Sequence, residues 1–305
     1  MDIGLIDVDS HNFPNLALMK ISAYHKSRGD NVEWALPIRH YDIVYQSKVF
    51  DDTYSSDIDW IPNADMIVKG GTGYDLHNKL PYEIEHIMPD YQLYGINDTA
   101  YGFLTRGCPR NDKFCIVPQK EGRCSIKVAD LREFWDGQKN VVLMDPNLLA
   151  CRDRDELLDQ LIESRAIVDF TQGLDIRYTT PLIAYKLGQM RVKALHFAWD
   201  NPRENLEPYF RHFGEWYRRK ASSRKRVYVL VNYDSSMDEN LRRIYTLRDL
   251  GYDPDVRIYD KPNAPIEVRQ LQRWCNNKYV FGKCRRFEDY VPYIKANRMK
   301  QIEEI

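Results

Sequence analysis

The chain has 305 residues, enough for two domains of ordinary size. Its 44 Lys and Arg residues nearly balance its 45 Asp and Glu residues, so no global charge draws it to nucleic acid or an anionic membrane, and such a partner must use a local patch. Residues 1–13 lack the basic leader and apolar run of a signal peptide, and no apolar stretch of about 18 residues follows. We therefore expect a soluble, cytoplasmic protein with no membrane partner.

The first part of the chain predicts an α/β domain. Strands are expected at residues 2–8, 32–36, 43–45 and 66–68, with a helix at residues 16–24. A helix between two strands carries the chain back to the end of the sheet where the first strand began, so the two strands should be parallel. The sequence thus predicts an N-terminal Rossmann-like parallel sheet over residues 1–95.

Strands and helices continue to alternate after residue 100. Strands are expected at residues 102–105, 141–144, 167–171, 194–198, 227–232 and 256–259, and helices at 154–163, 181–189, 205–217 and 238–250. Six strands in this length favour a partial (β/α)6 barrel over an open sheet. We predict that the barrel covers residues 96–261 and that 262–305 form a C-terminal extension. Barrel chemistry lies at the carboxyl ends of the strands.

The six cysteines are too few for a disulfide scaffold. Half of them fall in one loop rich in glycine, proline and charge, between Cys108 and Cys124, which indicates metal binding in a reducing compartment. The other three, Cys151, Cys275 and Cys284, are expected to be ordinary buried thiols.

The stretch GCPRNDKFC resembles the signature of the radical S-adenosylmethionine (SAM) family, C-x3-C-x2-C with an aromatic residue before the last cysteine. Cys108 and Cys115 match its first and third cysteines, Phe114 matches the aromatic residue, and Asp112 stands at the middle position. The resemblance implies a [4Fe-4S] cluster held by Cys108, Asp112 and Cys115, with SAM on the fourth iron. Carboxylate is a harder donor than thiolate and holds iron of such a cluster less well.

Asp112 therefore leaves several interpretations open. It can be an unusual ligand, it can mark a barrel that has lost its cluster, or Cys124 or another metal can take the place of the missing thiolate. An accidental spacing of two loop cysteines is the plainest alternative. The later segments argue against accident, since residues 100–261 resemble the family's strands in order and spacing.

The same resemblance implies a SAM pocket of polar side chains at the strand ends, while no catalytic residue is assigned. The candidate cofactor-binding residues are Asp145, Asn147, Gln172, Asp175, Arg177, His196 and Asn232. Most of them have a structural alternative. Asp145, like the nearby strand-end residue Asp200, can cap a helix, Asp175 and Arg177 can pair with each other, His196 can be a core histidine, and Gln172 and Asn232 can each hold a neighbouring loop.

Residues 1–95 resemble the cobalamin-binding-like domain of one radical SAM subgroup. Residues 9–14 partly match a D-x-H-x-x-G loop, with His11 at the cobalt-ligand position and Pro14 replacing the glycine. The glycine-rich run at residues 70–73 can let a backbone approach a flat cofactor or phosphate, or can form a tight turn. Because no D-x-H-x-x-G is complete, we favour a domain that kept this fold without its cobalamin.

Two stretches mix basic and aromatic residues, the pattern of nucleic-acid binding and also of amphipathic helices. They are residues 203–226, with eight Arg or Lys, and residues 268–286, with six and no acidic residue. The first hypothesis is an enzyme that cleaves SAM reductively, with an external electron donor, and modifies an unknown substrate through the 5′-deoxyadenosyl radical. The second is a non-catalytic binding or regulatory protein with a degenerate cluster site.

Overall fold

The computed structural model describes residues 1–10, 13–217 and 224–290. The chain divides into two compact units between Val168 and Asp169. The domain ends predicted at residues 95 and 261 stay predictions. No helix in the described part of the chain is long and apolar enough to cross a membrane.

The first unit begins with a parallel sheet and one covering helix. Its elements are β1 (Asp2–Asp7), α1 (Leu16–Ser27), β2 (Asn31–Trp34), β3 (Tyr41–Ser47) and β4 (Ala64–Gly70), in the strand order β2-β1-β3-β4. Helix α1 starts after Asn15, whose side chain accepts a hydrogen bond from the Leu18 amide at 3.2 Å. The helix buries Leu18 and Ile21 against Ile3 and Leu5 of β1. The predicted N-terminal parallel α/β sheet is present.

The rest of the first unit carries the cysteine loop. Its elements are α2 (Tyr82–Glu85), β5 (Thr99–Gly102), β6 (Thr105–Arg106), α3 (Val117–Lys120), β7 (Ile126–Lys127), β8 (Asn140–Leu143), α4 (Arg154–Ser164) and the start of β9 (Ile167–Phe170), the strand at which the units divide. Strands β5 and β8 are parallel, whereas β6 and β7 form a short antiparallel hairpin. The strand predicted at residues 102–105 is two strands, because the amides of Leu104 and Thr105 donate to a side chain, Asp145, instead of a neighbouring strand.

The second unit continues the alternation of strands and helices. Its elements after β9 are α5 (Pro181–Gln189), β10 (Arg191–Val192), β11 (Ala194–Ala198), α6 (Glu207–Trp216), β12 (Arg224–Val231), α7 (Met237–Asp249), β13 (Asp253–Ile258), α8 (Ile266–Asn276) and α9 (Lys278–Lys283). Strands β11, β12 and β13 are parallel and adjacent in that order. Helix α8, in the predicted extension, buries Trp274 and Cys275, and its Asn276 side chain accepts from the Val256 amide of β13 at 2.8 Å. The extension therefore contributes to the core of this unit.

A fully buried arginine ties the carboxyl ends of β11 and β12 together. Arg243 of α7 donates to the carbonyl oxygens of Trp199 at 2.6 Å and Leu230 at 3.0 Å, and also to that of Asp200 at 2.9 Å. Burial lowers the pKa of this guanidinium to about 10, yet it stays charged at neutral pH. The Trp199 carbonyl is buried and depends on this donor, while the carbonyls of Asp200 and Leu230 are partly buried.

Arg243→Met should therefore destabilise the protein by at least about 3 kcal/mol, since it leaves buried carbonyls without donors. Urea unfolding followed by tryptophan fluorescence measures this, because Trp199 is buried beside Arg243. Arg211→Met is the matched control: Arg211 is an exposed residue of α6, and its loss should change stability by less than about 0.5 kcal/mol. Equal stability of the two variants would show that the hydrogen bonds of Arg243 to these carbonyls do not stabilise the fold.

Candidate functional site

The cysteine loop is closed at its base by what we call the neck, residues 105–108 and 121–127. Thr105 pairs with Lys127 and Arg106 with Ile126 in the β6–β7 hairpin. Beyond the hairpin, the Arg106 guanidinium lies 2.8 Å from the Glu121 carboxylate. The amide of Cys108 donates to the carbonyl of Gly122 at 3.1 Å. The loop thus leaves and re-enters the fold at one place. Arg106 and Glu121 lie too far apart in the sequence for a local charge pattern to predict that they pair.

Two signature residues form a tight turn within the loop. The amide of Cys115 donates to the carbonyl of Asp112 at 3.0 Å, and Asn111 before it has the left-handed φ of 51°. Cys108 and Cys115 are half-buried, and Cys124 is exposed. The Cys108 sulfur accepts a weak hydrogen bond from the Asn147 side chain at 3.5 Å. The structure therefore brings together Cys108 and Asn147, two of the predicted site residues.

The donor chemistry of the loop fits an iron-sulfur cluster, because thiolates are the usual ligands of such clusters and this loop carries three thiols. Within residues 1–10, 13–217 and 224–290, no group of three His, Cys, Asp or Glu side chains lies close enough to hold a metal ion. The three signature residues lie on one closed loop, but their side chains are not gathered around one point. Cluster ligation by Cys108, Asp112 and Cys115 therefore stays a prediction.

Asp145, after β8, fixes the start of the neck. Its buried carboxylate accepts from the Thr105 amide at 2.5 Å, the Thr105 hydroxyl at 2.7 Å and the Leu104 amide at 3.1 Å. Burial raises the pKa of this carboxyl to about 6, although these donors oppose the rise. Asp145 therefore positions the start of the loop in these contacts instead of capping a helix, and its cofactor role stays a prediction.

The candidates after β9 pair with one another. The Arg177 guanidinium donates to both carboxylate oxygens of Asp175, at 2.7 and 3.0 Å, and also bonds the Glu204 carboxylate. Asp175 additionally accepts from the Arg177 amide at the start of a 3₁₀ turn. Gln172 nearby has an exposed side chain. Asp175 and Arg177 therefore form the ion pair that was the structural alternative for them. Their cofactor role stays a prediction.

His196 and Asn232 also make structural contacts within the second unit. His196 is buried, stacks on Tyr228 with ring centroids 5.4 Å apart, and bonds the Phe170 carbonyl through Nδ1 at 3.1 Å. Burial lowers the pKa of this imidazole, which keeps it neutral at physiological pH. The Asn232 side chain donates to the carbonyl of Tyr259 at 2.8 Å and so joins the ends of β12 and β13. Asp200 similarly accepts from the Leu230 amide instead of capping a helix.

The glycine-rich run after β4 packs on the protein's own backbone. The Gly73 amide donates to the Lys48 carbonyl at 2.9 Å, and a Cβ at Gly73 would collide with the carbonyl oxygen of Phe50. Gly71 approaches Lys48 in the same way and has a φ of 94°. These glycines therefore serve a close approach of two backbone segments, the tight-turn alternative.

An open cavity of about 400 Å³ lies at the carboxyl ends of β1 and β2. Its lining includes Asp7, Asp9, Trp34 and Tyr94. The buried Asp9 carboxylate accepts from the amides of Val49 and Phe50, at 2.7 and 2.8 Å. His11, the residue matched to a cobalt ligand, lies outside the described residues, and the expectation of a domain without its cobalamin stays a prediction.

The remaining cysteines and aromatic residues are mostly structural. Cys151 and Cys275 are buried as expected, but Cys284 is only half-buried because it follows the end of α9 and its thiol lies at the carbonyl of Arg286. In residues 268–286, Trp274 and Phe281 belong to the core, whereas Tyr279 is exposed. The other basic stretch, residues 203–226, includes residues 218–223, which lie outside the described chain.

Gly73→Ala should destabilise the protein by about 2 kcal/mol or more, because its new Cβ meets fixed backbone. Gly70→Ala is the matched control: nothing lies within 4 Å of a Cβ there, so stability should hold within about 1 kcal/mol. Thermal unfolding of both variants is the measurement. Equal midpoints would show that the backbone around Gly73 can shift to accept a Cβ.

Asp145→Asn should flatten the pH dependence of stability. A carboxyl with its folded pKa raised to about 6 gives stability that is complete below its unfolded pKa and lost as pH rises through about 6. From pH 4 to 7 the native protein should therefore lose up to about 3 kcal/mol that the amide variant does not lose. Urea unfolding at a series of pH values measures the difference. Asp136→Asn, at an exposed loop residue, should match the native profile.

No protein-family model matches the chain, and no curated protein matches it. Among solved structures, it is similar to the radical S-adenosylmethionine methyltransferase TsrM from Kitasatospora setae, whose structure has cobalamin and a [4Fe-4S] cluster bound. The TM-score is 0.62 at 11% sequence identity, and the match covers 84% of this chain and 74% of that chain. Such a likeness shows the fold. The predicted fold class is thereby confirmed: an α/β protein in which a Rossmann-like parallel sheet precedes a radical SAM-like fold.

Proposed function

We propose that the protein is a radical SAM-type enzyme that binds a [4Fe-4S] cluster and SAM and modifies an unknown substrate. One observation carries this proposal: a loop with two cysteines at the spacing of the radical SAM signature lies in a chain with the fold of a radical SAM methyltransferase. Fold alone does not fix a reaction, so the loop carries the chemical part of the argument.

In this proposal Cys108 and Cys115 supply thiolates, and Asp112 stands at the third ligand position of the motif. A bound cluster supplies the electron that cleaves SAM, and an external donor replaces that electron. Asn147 donates toward the Cys108 sulfur, which favours negative charge there and orients the side chain. Asp145 holds the first strand of the neck through Thr105, so the loop keeps one orientation on β8.

The polar residues of the second unit are proposed to contact SAM or substrate. Arg177 is held in position by the carboxylates of Asp175 and Glu204, and this fixed group of polar side chains is proposed to hydrogen-bond SAM or substrate. His196 is neutral and offers a ring nitrogen instead of a charge. Gln172 is the exposed member of the set, and Asn232 keeps two strand ends in register. Cobalamin at the N-terminal sheet is a further proposal, suggested by the cobalamin in TsrM.

The second candidate is a non-catalytic binding or regulatory protein on the same fold. The carboxylate of Asp112 at a thiolate position favours it, since this change weakens cluster retention. Several candidate pocket residues also serve strand ends, as Asp145 and Asn232 do. A non-catalytic protein of this kind would bind nucleic acid through residues 268–286, where the exposed ring of Tyr279 lies beside Lys283.

Anaerobic reconstitution separates the two candidates. The native protein should take up about four irons and four sulfides per chain, and Cys108→Ser should lose most of both because a main ligand is gone. Iron and sulfide analysis with the visible absorption spectrum measures this. Cys284→Ser is the matched control, a half-buried free thiol outside the loop, and should retain the native content. A native protein that takes up no iron or sulfide would favour the non-catalytic candidate.

A further inference from the structure

The strongest unassigned group near the site is the thiol of Cys124. It is exposed, free and outside the C-x3-C-x2-C spacing. Two of the thiols outside the loop are unsuited to metal, because burial raises the pKa of Cys151 and raises that of Cys275 to about 12. Cys124 is therefore the accessible extra thiol that the loop itself carries.

The neck places the Cys124 backbone beside Cys108. Gly107 has a φ of 87° and touches the carbonyl group of Cys124, so closely that a Cβ at residue 107 would collide with it. The next amide, that of Cys108, donates to Gly122. Residues 122–124 thus run directly alongside residues 107 and 108, and only glycine at 107 permits the contact.

A second contact fixes the same neighbourhood from outside the loop. Asn147 donates through its side chain to the Cys108 sulfur at 3.5 Å, while its backbone carbonyl accepts from the Ser125 hydroxyl at 2.8 Å. One residue at the end of β8 therefore touches both the sulfur of Cys108 and the residue after Cys124. The backbones of the two cysteine-bearing segments are held together, so joining them to one cluster closes no new flexible loop. Their side chains must still turn toward the metal, since no three ligating side chains converge within the described residues.

We propose that Cys124 supplies the third thiolate of the cluster, in the role that Asp112 holds in the sequence motif. The inference rests on the proposed function and concerns only the identity of the ligands. Thiolate is the softer donor and is the usual ligand of an iron-sulfur cluster. Asp112 lies in the turn before Cys115, where its backbone carbonyl accepts from the Cys115 amide, and its carboxylate is the harder donor of the two candidates.

Three variants test the assignment under anaerobic reconstitution with reductant: Cys124→Ser, Asp112→Asn, and the double variant Asp112→Cys with Cys124→Ser. Cys124→Ser should hold at least about fivefold less iron and sulfide than Asp112→Asn, because it removes the softer ligand. The double variant should recover the cluster, since it restores a thiolate at the motif position. That recovery also shows that Cys124→Ser folds. The electron paramagnetic resonance signal of the reduced cluster is a readout independent of SAM cleavage.

The outcomes separate this inference from the proposed function. If Asp112→Asn loses the cluster while Cys124→Ser keeps it, Asp112 is the third ligand, and the radical SAM proposal stands without Cys124. If the two variants both keep a full cluster, neither side chain is required and the inference fails. Loss in Cys124→Ser without recovery in the double variant would mean that residue 124 serves the neck and not the metal. A native protein without iron or sulfide would overturn the proposed function itself.

Discussion

The hydrogen bonds from the peptide chain to the Asp145 carboxylate determine where the cysteine loop leaves the fold. A buried carboxylate needs several donors, and Leu104 and Thr105 provide their amides. Those amides cannot then donate to a neighbouring strand, so the β-structure is interrupted between β5 and β6 and the chain turns away from the sheet. Strand β6 pairs instead with β7, and the neck that carries Cys108 and Cys124 follows from that pairing.

The second unit meets the same requirement with other side chains. The ends of adjacent parallel strands leave backbone groups that need partners once they are buried. Arg243 donates to strand-end carbonyls and Asp200 accepts from the Leu230 amide, while Asn232 donates to the exposed end of β13 at Tyr259. Polar residues at strand ends are therefore required by the fold whether or not a ligand binds. This explains why such residues are weak signals of function, and why the three thiols of one loop carry more information.

Periodicity was enough to predict most of the elements. The helix expected at residues 181–189 and the strand at 194–198 coincide with α5 and β11, because apolar spacing and turn residues mark both ends. Helix α8 was missed within the extension, although Val268, Leu271 and Cys275 recur at helical spacing. The hairpin of β6 and β7 could not be predicted, since strands of two residues have no period and depend on contacts such as Arg106 with Glu121.

Within the site, the sequence predicted pairs that are near neighbours, such as Asp175 with Arg177, and missed partners that the fold brings from a distance. The role of Arg243 was also missed, because an arginine on a helix with many charged residues is expected to face solvent. Likewise the ligand alternatives at Asp112 and Cys124 were visible as residue types, whereas the alignment of residues 107 and 108 with 122–124 depends on backbone geometry.

The cysteine loop and the glycine-rich run are joined by a hydrogen bond. Lys120 of α3, inside the cysteine loop, donates to the Thr72 hydroxyl of the glycine-rich run at 2.6 Å. A ligand that displaced Thr72 would release Lys120, and ordering of the loop by metal would by reciprocity alter the affinity for that ligand equally. A single hydrogen bond from a charged donor contributes at most about 3 kcal/mol. Communication through this contact between the two regions is thus limited to a factor of about 150 in either affinity.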